Sequence, residues 1–270
     1  LGRDAFHALC PSPAYLGGIL DPGAGHLHPL AYALGLARAA AAAGVSIHED
    51  ARVTGYSEAD GVTVRTEGGT VRAAHLVLAC NGYLGGLEPR VGARVMPINS
   101  FIGATEPLGQ RAETVLTRNV AVSDDLFVVT YFRLSHDRRL LFSGSESYGY
   151  RFPRDIRAVV RGPMLDVFPQ LHDVRLDYAW GGTLGITLTR QPHLARLSPQ
   201  VLSASGYSGH GVGNATQAGK LLAEAVRGQS AGFDTYAALP TPPFPGGTRL
   251  RNPLLVLAMT WYALRDRLGL

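Results

Sequence analysis

Cysteine is nearly absent from this sequence of 270 residues, which holds two thiols, Cys10 and Cys80. Without CxxC spacing they exclude a disulfide scaffold, and a reducing, cytoplasmic compartment is the expectation. The opening LGRDAFHALC has no signal-peptide pattern, in keeping with that expectation. Charge is scarce too, at 17% of residues, where an average soluble domain has about 25%. With 46% hydrophobic residues, the low charge excludes disorder as the main state. Lysine is reduced to Lys220, and the other basic side chains are arginines scattered along the chain rather than gathered in a stripe. Nucleic acid is therefore not an expected partner. Long apolar runs are missing as well. PLLVLAMTWYAL, from Pro253 to Leu264, has twelve residues. A bilayer crossing needs about twenty, so this run reads as a buried helix rather than a membrane span.

Glycine, by contrast, is plentiful, at 33 residues. PLAYALGLARAAAAAG, from Pro29 to Gly44, has an early proline, an alanine-rich middle and a closing glycine, the signals of a helix that packs on a sheet. VSIHED (Val45 to Asp50) is expected as a short strand. ARVTGYSE, GVTVRTEGG and TVRAAHLVLACNG follow as further strands, with turns at Gly61, Gly68 and Gly69. The last of these stops at Asn81-Gly82, as buried strands do at the carboxyl edge of a parallel sheet, where ligands bind. Beyond Pro89, strands are expected over Arg94 to Thr105, Phe127 to Leu134 and Arg139 to Ser143, and a helix over Arg154 to Phe168. A strand pair, Val174 to Trp180 and Gly185 to Arg190, completes an antiparallel sheet with a helix packed on it. The proline-rich LPTPPFPGGTRLRNP is expected to lie extended before the final helix.

The most informative element is a strand from Val201, the loop SGYSGHGVGN and a helix running to about Arg227. Gly206, Gly209, Gly211 and Gly213 let a ligand approach the main chain, and the helix aims unpaired N–H groups and a partial positive charge at the loop. A phosphate, a carboxylate or an electron-rich ring carbonyl would be stabilised there. A dinucleotide fingerprint fits poorly, because no strand separates the helix from Asp234, the acidic residue at the right distance. GYSGHG also lacks the G-x-S-x-G elbow of a serine hydrolase. His26 and His28 have HxH spacing, but no third ligand cluster accompanies them, so no metal is expected. His210 is better placed to meet a ligand.

GYSGHGV with its helix, YAWGGTLGITLTRQPHLARL and GGILDPGAGHLHPLAYALGLARAAAAAGV together resemble the FAD-dependent amine and amino-acid oxidoreductases, the glycine oxidase and D-amino-acid oxidase group. YFRLSHDRRLLFSGSESYGYRFPRD and ALPTPPFPGG resemble the γ-glutamylputrescine oxidoreductase branch. The resemblance implies a mixed α/β (α+β) fold, in which an incomplete FAD-binding Rossmann-like domain is joined to an antiparallel-sheet substrate domain. On this reading residues 1–90 and 200–235 form the partial FAD domain, 91–199 the substrate domain, and 236–270 a proline-rich tail and terminal helix. No GxGxxG occurs in the sequence, so it looks like the carboxyl-terminal two thirds of such an enzyme. Self-association, or a chain supplying the missing unit, is the corresponding partner expectation.

The resemblance also implies roles. FAD would meet Val53 through its backbone, Asn81 and Gly82 at a strand edge, and Gly206, Tyr207, Ser208, Gly209, His210, Gly211, Val212 and Gly213 at its pyrimidine edge. Hydride would pass from the carbon bearing the amine to the flavin, leaving an imine for water to hydrolyse. Leu184, read as a buried leucine, stands where α-amino-acid oxidases place a carboxylate-binding arginine, which favours an amine with its charge elsewhere. Arg133 and Arg190 are alternative substrate cations, and Tyr131 and Trp180 candidate walls for an aliphatic substrate. Two other readings stay open: a non-catalytic remnant or interaction module that binds no flavin, and NAD binding through GHGVGN.

Overall fold

A computed structural model describes residues 1–126, 128–147 and 151–246 and the single positions 253, 256 and 261. The helices are α1 (Arg3–His7), α2 (Pro29–Ala42), α3 (Pro89–Gly92), α4 (Ile156–Val167), α5 (Gly211–Val226) and α6 (Ala231–Ala237). The first strands are β1 (Val53–Ala59), β2 (Gly61–Thr66), β3 (Thr70–Ala73), β4 (Leu76–Leu78), β5 (Met96–Thr105) and β6 (Ala121–Ser123). They are followed by β7 (Tyr131–Leu134), β8 (Leu140–Ser143), β9 (Glu146–Ser147), β10 (Leu176–Ile186), β11 (His193–Arg196) and β12 (Val201–Ser205). Two compact units result. One comprises Leu1–Leu27, Asn99–Gly182 and the described positions of 255–270; the other comprises His28–Ile98 and the described residues of 183–254.

The first unit is built on an antiparallel sheet with strand order β10-β5-β8-β7-β6, and β9 pairs with β5. Alternation along the strands separates two faces. Phe101, Phe132 and Phe142 point to one face and pack with Val160 and Met164 of α4 and with Phe168. The Phe132 and Phe142 rings stack at 5.8 Å, and Phe168 meets Phe132 edge-on at 5.0 Å. Each such fully buried ring contributes roughly 1.5–3 kcal/mol. The register pairs Tyr131 with Ser143 and Arg133 with Leu141. These four, with Ser100 and Ile102 of β5, belong to the opposite face. Asp155 caps α4 by accepting from the Ala158 amide at 3.1 Å, the bond expected of an N-cap aspartate.

The second unit holds the antiparallel meander β1-β2-β3 and a sheet of order β11-β12-β4, in which β12 runs parallel to β4. Leu194, Leu202 and Ala204 on the strands close a core with Leu221, Leu222 and Phe233 on α5 and α6. Buried Glu88 joins the meander to α3. Its carboxylate accepts from the Tyr56 hydroxyl at 2.5 Å and from the Arg90 amide and guanidinium at 2.9 Å. His28 caps α2 through Nδ1, which accepts from the Ala31 amide at 3.2 Å. No residue of α2 is buried, and Leu30, Leu34 and Leu36 are exposed. Among the described residues no helix is long and apolar enough to cross a membrane.

Two expectations are corrected. Residues 45–50 form no strand: Val45 and Ile47 are exposed, and among the described residues no strand pairs with them. WGGTLGI does not turn between two strands but continues one, as the last seven residues of β10. The final helix expected from Pro253, apart from single positions, lies outside the described residues, as does Phe127.

Candidate functional site

Parallel pairing sets Ser203 of β12 beside Leu78 of β4, so both strands deliver their following loops to the same edge. After β4 the chain turns sharply at Asn81, whose φ of +45° lies in the left-handed region that asparagine tolerates better than most residues. After β12 it turns at Gly206 (φ +73°), where a Cβ would lie 2.6 Å from Thr187 Cγ2. The two turns are tied together. The Gly206 amide donates to Asn81 Oδ1 at 3.0 Å. Gly185 on β10 leaves room for that carboxamide, since a Cβ there would collide with Asn81 Oδ1. Ser208 adds a second tie, its amide donating to the Gly185 carbonyl at 2.9 Å and its Oγ accepting from the Thr187 amide at 3.2 Å. The loop is thus held from β4, β10 and β12 by the protein's own groups.

The loop opens into α5. The first turn-closing bond there runs from the Asn214 amide to the His210 carbonyl at 3.2 Å, which leaves the amides of Gly211, Val212 and Gly213 ahead of the helical ladder. His210 gives no side-chain cap; its Nδ1 sits 3.2 Å from the Ser208 carbonyl. Gly209, His210, Val212 and Gly213 are exposed. Aligned donors and the positive end of a 16-residue helix therefore face solvent without an acceptor supplied by the cap. Behind them Ser205 Oγ is buried and has no hydrogen-bond partner among the described residues. Its register partner is His193. Burial, and then the charge of Arg94, lower the His193 pKa to about 4, so the ring is neutral at neutral pH, with Nδ1 2.7 Å from Thr241 Oγ1. Uncapped amides at the start of α5 suit a flat, electron-rich ligand edge such as a ring bearing carbonyls.

The family model described as DAO, FAD dependent oxidoreductase, matches residues 1–225. The chain belongs to this FAD-dependent oxidoreductase family. It is 48% identical over 257 residues to a protein described as "Probable oxidoreductase OrdL" of Rhizobium meliloti (strain 1021), covering 95% of this chain and 60% of that protein. It is 40% identical over 271 residues to the γ-glutamylputrescine oxidoreductase of Escherichia coli (strain K12), covering 100% of this chain and 64% of that enzyme. The chain therefore spans less than two thirds of these curated relatives. Glycine oxidase from Bacillus cereus ATCC 14579 superposes with a TM-score of 0.69 at 16% identity, over 85% of this chain and 65% of that one. Glycine oxidase from Geobacillus kaustophilus gives 0.61 at 22% identity, over 73% and 53%. These two share the fold with the chain, a mixed α/β architecture, and FAD is the cofactor of the family.

Of the residues expected to meet FAD in this family, Asn81, Gly82 and Gly206 to Gly213 come together at one edge. Tyr207 contributes only backbone there, because its ring is buried in the core with Leu194 and Ala218. Val53 stands outside this hydrogen-bonded group, at the start of β1 opposite Thr66. Arg190 is exposed in a turn at φ +61°. Tyr131 and Arg133 share one face of the first unit's sheet, and Trp180 is exposed on β10. Leu184 is half-buried rather than buried, and its carbonyl lies where a Cβ on Gly82 would fall. Gly185, Thr187, His193 and Ser205 were not legible as site residues. Each acts through a neighbour brought in by the sheet, and no local spacing signals that.

Proposed function

We propose that the chain serves an FAD-dependent oxidation of the C–N bond of an amine of the γ-glutamylputrescine type. The observation that carries this reading is the loop 206–210, fixed by Asn81 and Ser208 and opening onto the uncapped start of α5. What FAD supplies when bound is acceptance of the hydride that leaves the amine-bearing carbon. The chain's own residues do the rest. The amides of Gly211, Val212 and Gly213 would hold the pyrimidine-edge carbonyls and favour negative charge beside them. Asn81 and Ser208 keep those amides aligned before any ligand arrives, so no ordering cost falls on binding. Neutral His193 adds no positive charge of its own behind the loop.

Substrate binding is assigned to the first unit. Arg133 has no carboxylate in ion-pair range among the described residues; it donates to the carbonyls of Leu27 and Leu134 at 3.3 Å. A half-buried guanidinium of this kind suits a substrate carboxylate remote from the oxidised amine, as in a γ-glutamyl amide. Leu184 offers no charge for an α-carboxylate next to the reacting carbon. The uncovered apolar side of α2 and the edge strand β4 are where a strand–glycine–helix unit would add, from this protein or from a second chain.

Gly211→Val tests the reading. Among the described residues a Cβ at Gly211 meets only Tyr207, at 3.9 Å, so a side chain begins in ordinary contact with the protein but stands in the way of a ligand approaching the main chain. Flavin affinity is expected to fall at least tenfold by absorbance titration, with unfolding unchanged. Undiminished FAD affinity would refute the loop assignment and favour the reading of a chain that binds no flavin.

A further inference from the structure

The face of the first unit's sheet that turns away from the phenylalanine core carries a chain of three hydroxyls. Ser143 Oγ lies 3.4 Å from Ser100 Oγ, and Ser100 Oγ lies 3.1 Å from the Tyr131 hydroxyl. Ser143 and Ser100 are buried, at 1% and 7% exposure, while Tyr131 is 39% exposed. Serine is a poor choice for the middle of a buried strand unless its hydroxyl is used. Here both are used, among the described residues by each other and by Tyr131.

The order of donation follows from burial. Among the described residues Ser143 Oγ has one hydrogen-bond partner, Ser100. A buried donor left without an acceptor costs more than an oxygen with a spare lone pair, so the Ser143 proton goes to Ser100. The Ser100 proton then goes to the Tyr131 oxygen. That leaves the Tyr131 O–H without an acceptor among the described residues, on a side chain that is 39% exposed. Two residues on, Arg133 extends from the same face.

We infer that Ser143 and Ser100 are positioning residues that fix Tyr131 as an outward hydrogen-bond donor for an acceptor oxygen of the substrate. This rests on the reading of Tyr131 as a substrate contact. The ligand class it selects is an amine carrying a carboxylate or amide oxygen, in preference to a bare diamine.

The test uses the FAD-loaded protein, with γ-glutamylputrescine for kinetics and γ-glutamyl-n-butylamide for calorimetric binding. The butylamide keeps the acceptor oxygens and lacks the terminal amine. Tyr131→Phe and Ser100→Ala are each expected to raise KM and the butylamide Kd roughly 3- to 10-fold, with kcat changing less. The double variant should be no worse than Tyr131→Phe alone, and Ser100→Thr should restore binding. Should Ser100→Ala not fold, Ser143→Ala carries the same comparison with a smaller expected shift. Effects that add in the double variant, or a serine variant that binds as the parent does while Tyr131→Phe binds weakly, overturn the inference and leave the substrate reading intact. Unchanged binding in Tyr131→Phe overturns both.

Discussion

The side chain of Asn81 accepts a hydrogen bond from the amide of Gly206, 125 positions along the chain, at 3.0 Å. A single carboxamide thus sets the spacing between the end of one parallel strand and the turn that leads into α5. The amide it satisfies is partly buried and otherwise has no partner in the loop. The arrangement depends on Gly185, which alone leaves space for the carboxamide.

Asn81→Ala removes this acceptor and places alanine at a left-handed φ. The expected loss is about 2–4 kcal/mol, from the unsatisfied amide and the backbone strain together. Asn81→Gly relieves the strain and keeps the loss of the bond, so it should fall between the two in urea unfolding. Both variants should bind FAD more weakly than the parent, because the loop must then be ordered by the ligand.

Ser205→Ala is expected to act in the opposite direction. The hydroxyl has no partner among the described residues, so its removal should stabilise the ligand-free protein by up to about 1 kcal/mol. If a bound flavin uses that hydroxyl, the same variant will show weaker FAD binding. Thermal unfolding with and without FAD separates the two effects.

His193 makes stability depend on pH. Its pKa is about 4 in the folded chain, against an ordinary 6.5. Between these values the unfolded chain binds a proton that the folded chain refuses. The stabilisation is complete above pH 6.5 and is lost as the pH falls towards 4. From pH 7.5 to 5 the expected decrease from this group is about 2 kcal/mol in urea unfolding. His193→Gln should flatten that slope; an unaltered slope would show that other groups carry it.

Glu88 governs a lower range. Hydrogen bonds from Arg90, opposed by burial and reinforced by Tyr56, bring its pKa from 4.5 to about 2. Its contribution is present above pH 4.5 and disappears as the pH drops towards 2. Glu88→Ala is expected to cost about 1–3 kcal/mol at pH 7, and Tyr56→Phe about 1 kcal/mol. Denaturant titrations at pH 7 and pH 3 test both, since the differences from the parent should shrink at pH 3.

Local signals carried much of this protein. Pro29 and the alanine run marked α2, Asp155 stands at the start of α4, and four spaced glycines announced the turn into α5. Each is a matter of backbone preference within a few residues. Val45 to Asp50 misled because strand propensity needs a neighbouring strand, and none among the described residues receives it. WGGTLGI misled because a break was expected between Trp180 and Gly185, whereas the strand runs on to Ile186 and Gly185 is glycine to admit the Asn81 side chain from the turn after β4.

The sequence by itself determined α2, α4 and α5, the glycine loop and the motifs that identify the family, because those depend on residue type and short spacing. Only the tertiary structure decided that Asn81 would grip Gly206, that Ser205 would be left without a partner, and that Ser143 and Ser100 would stand behind Tyr131. Those relationships are made by strand pairing across long stretches of chain, where the register, and not the neighbouring sequence, chooses which atoms meet.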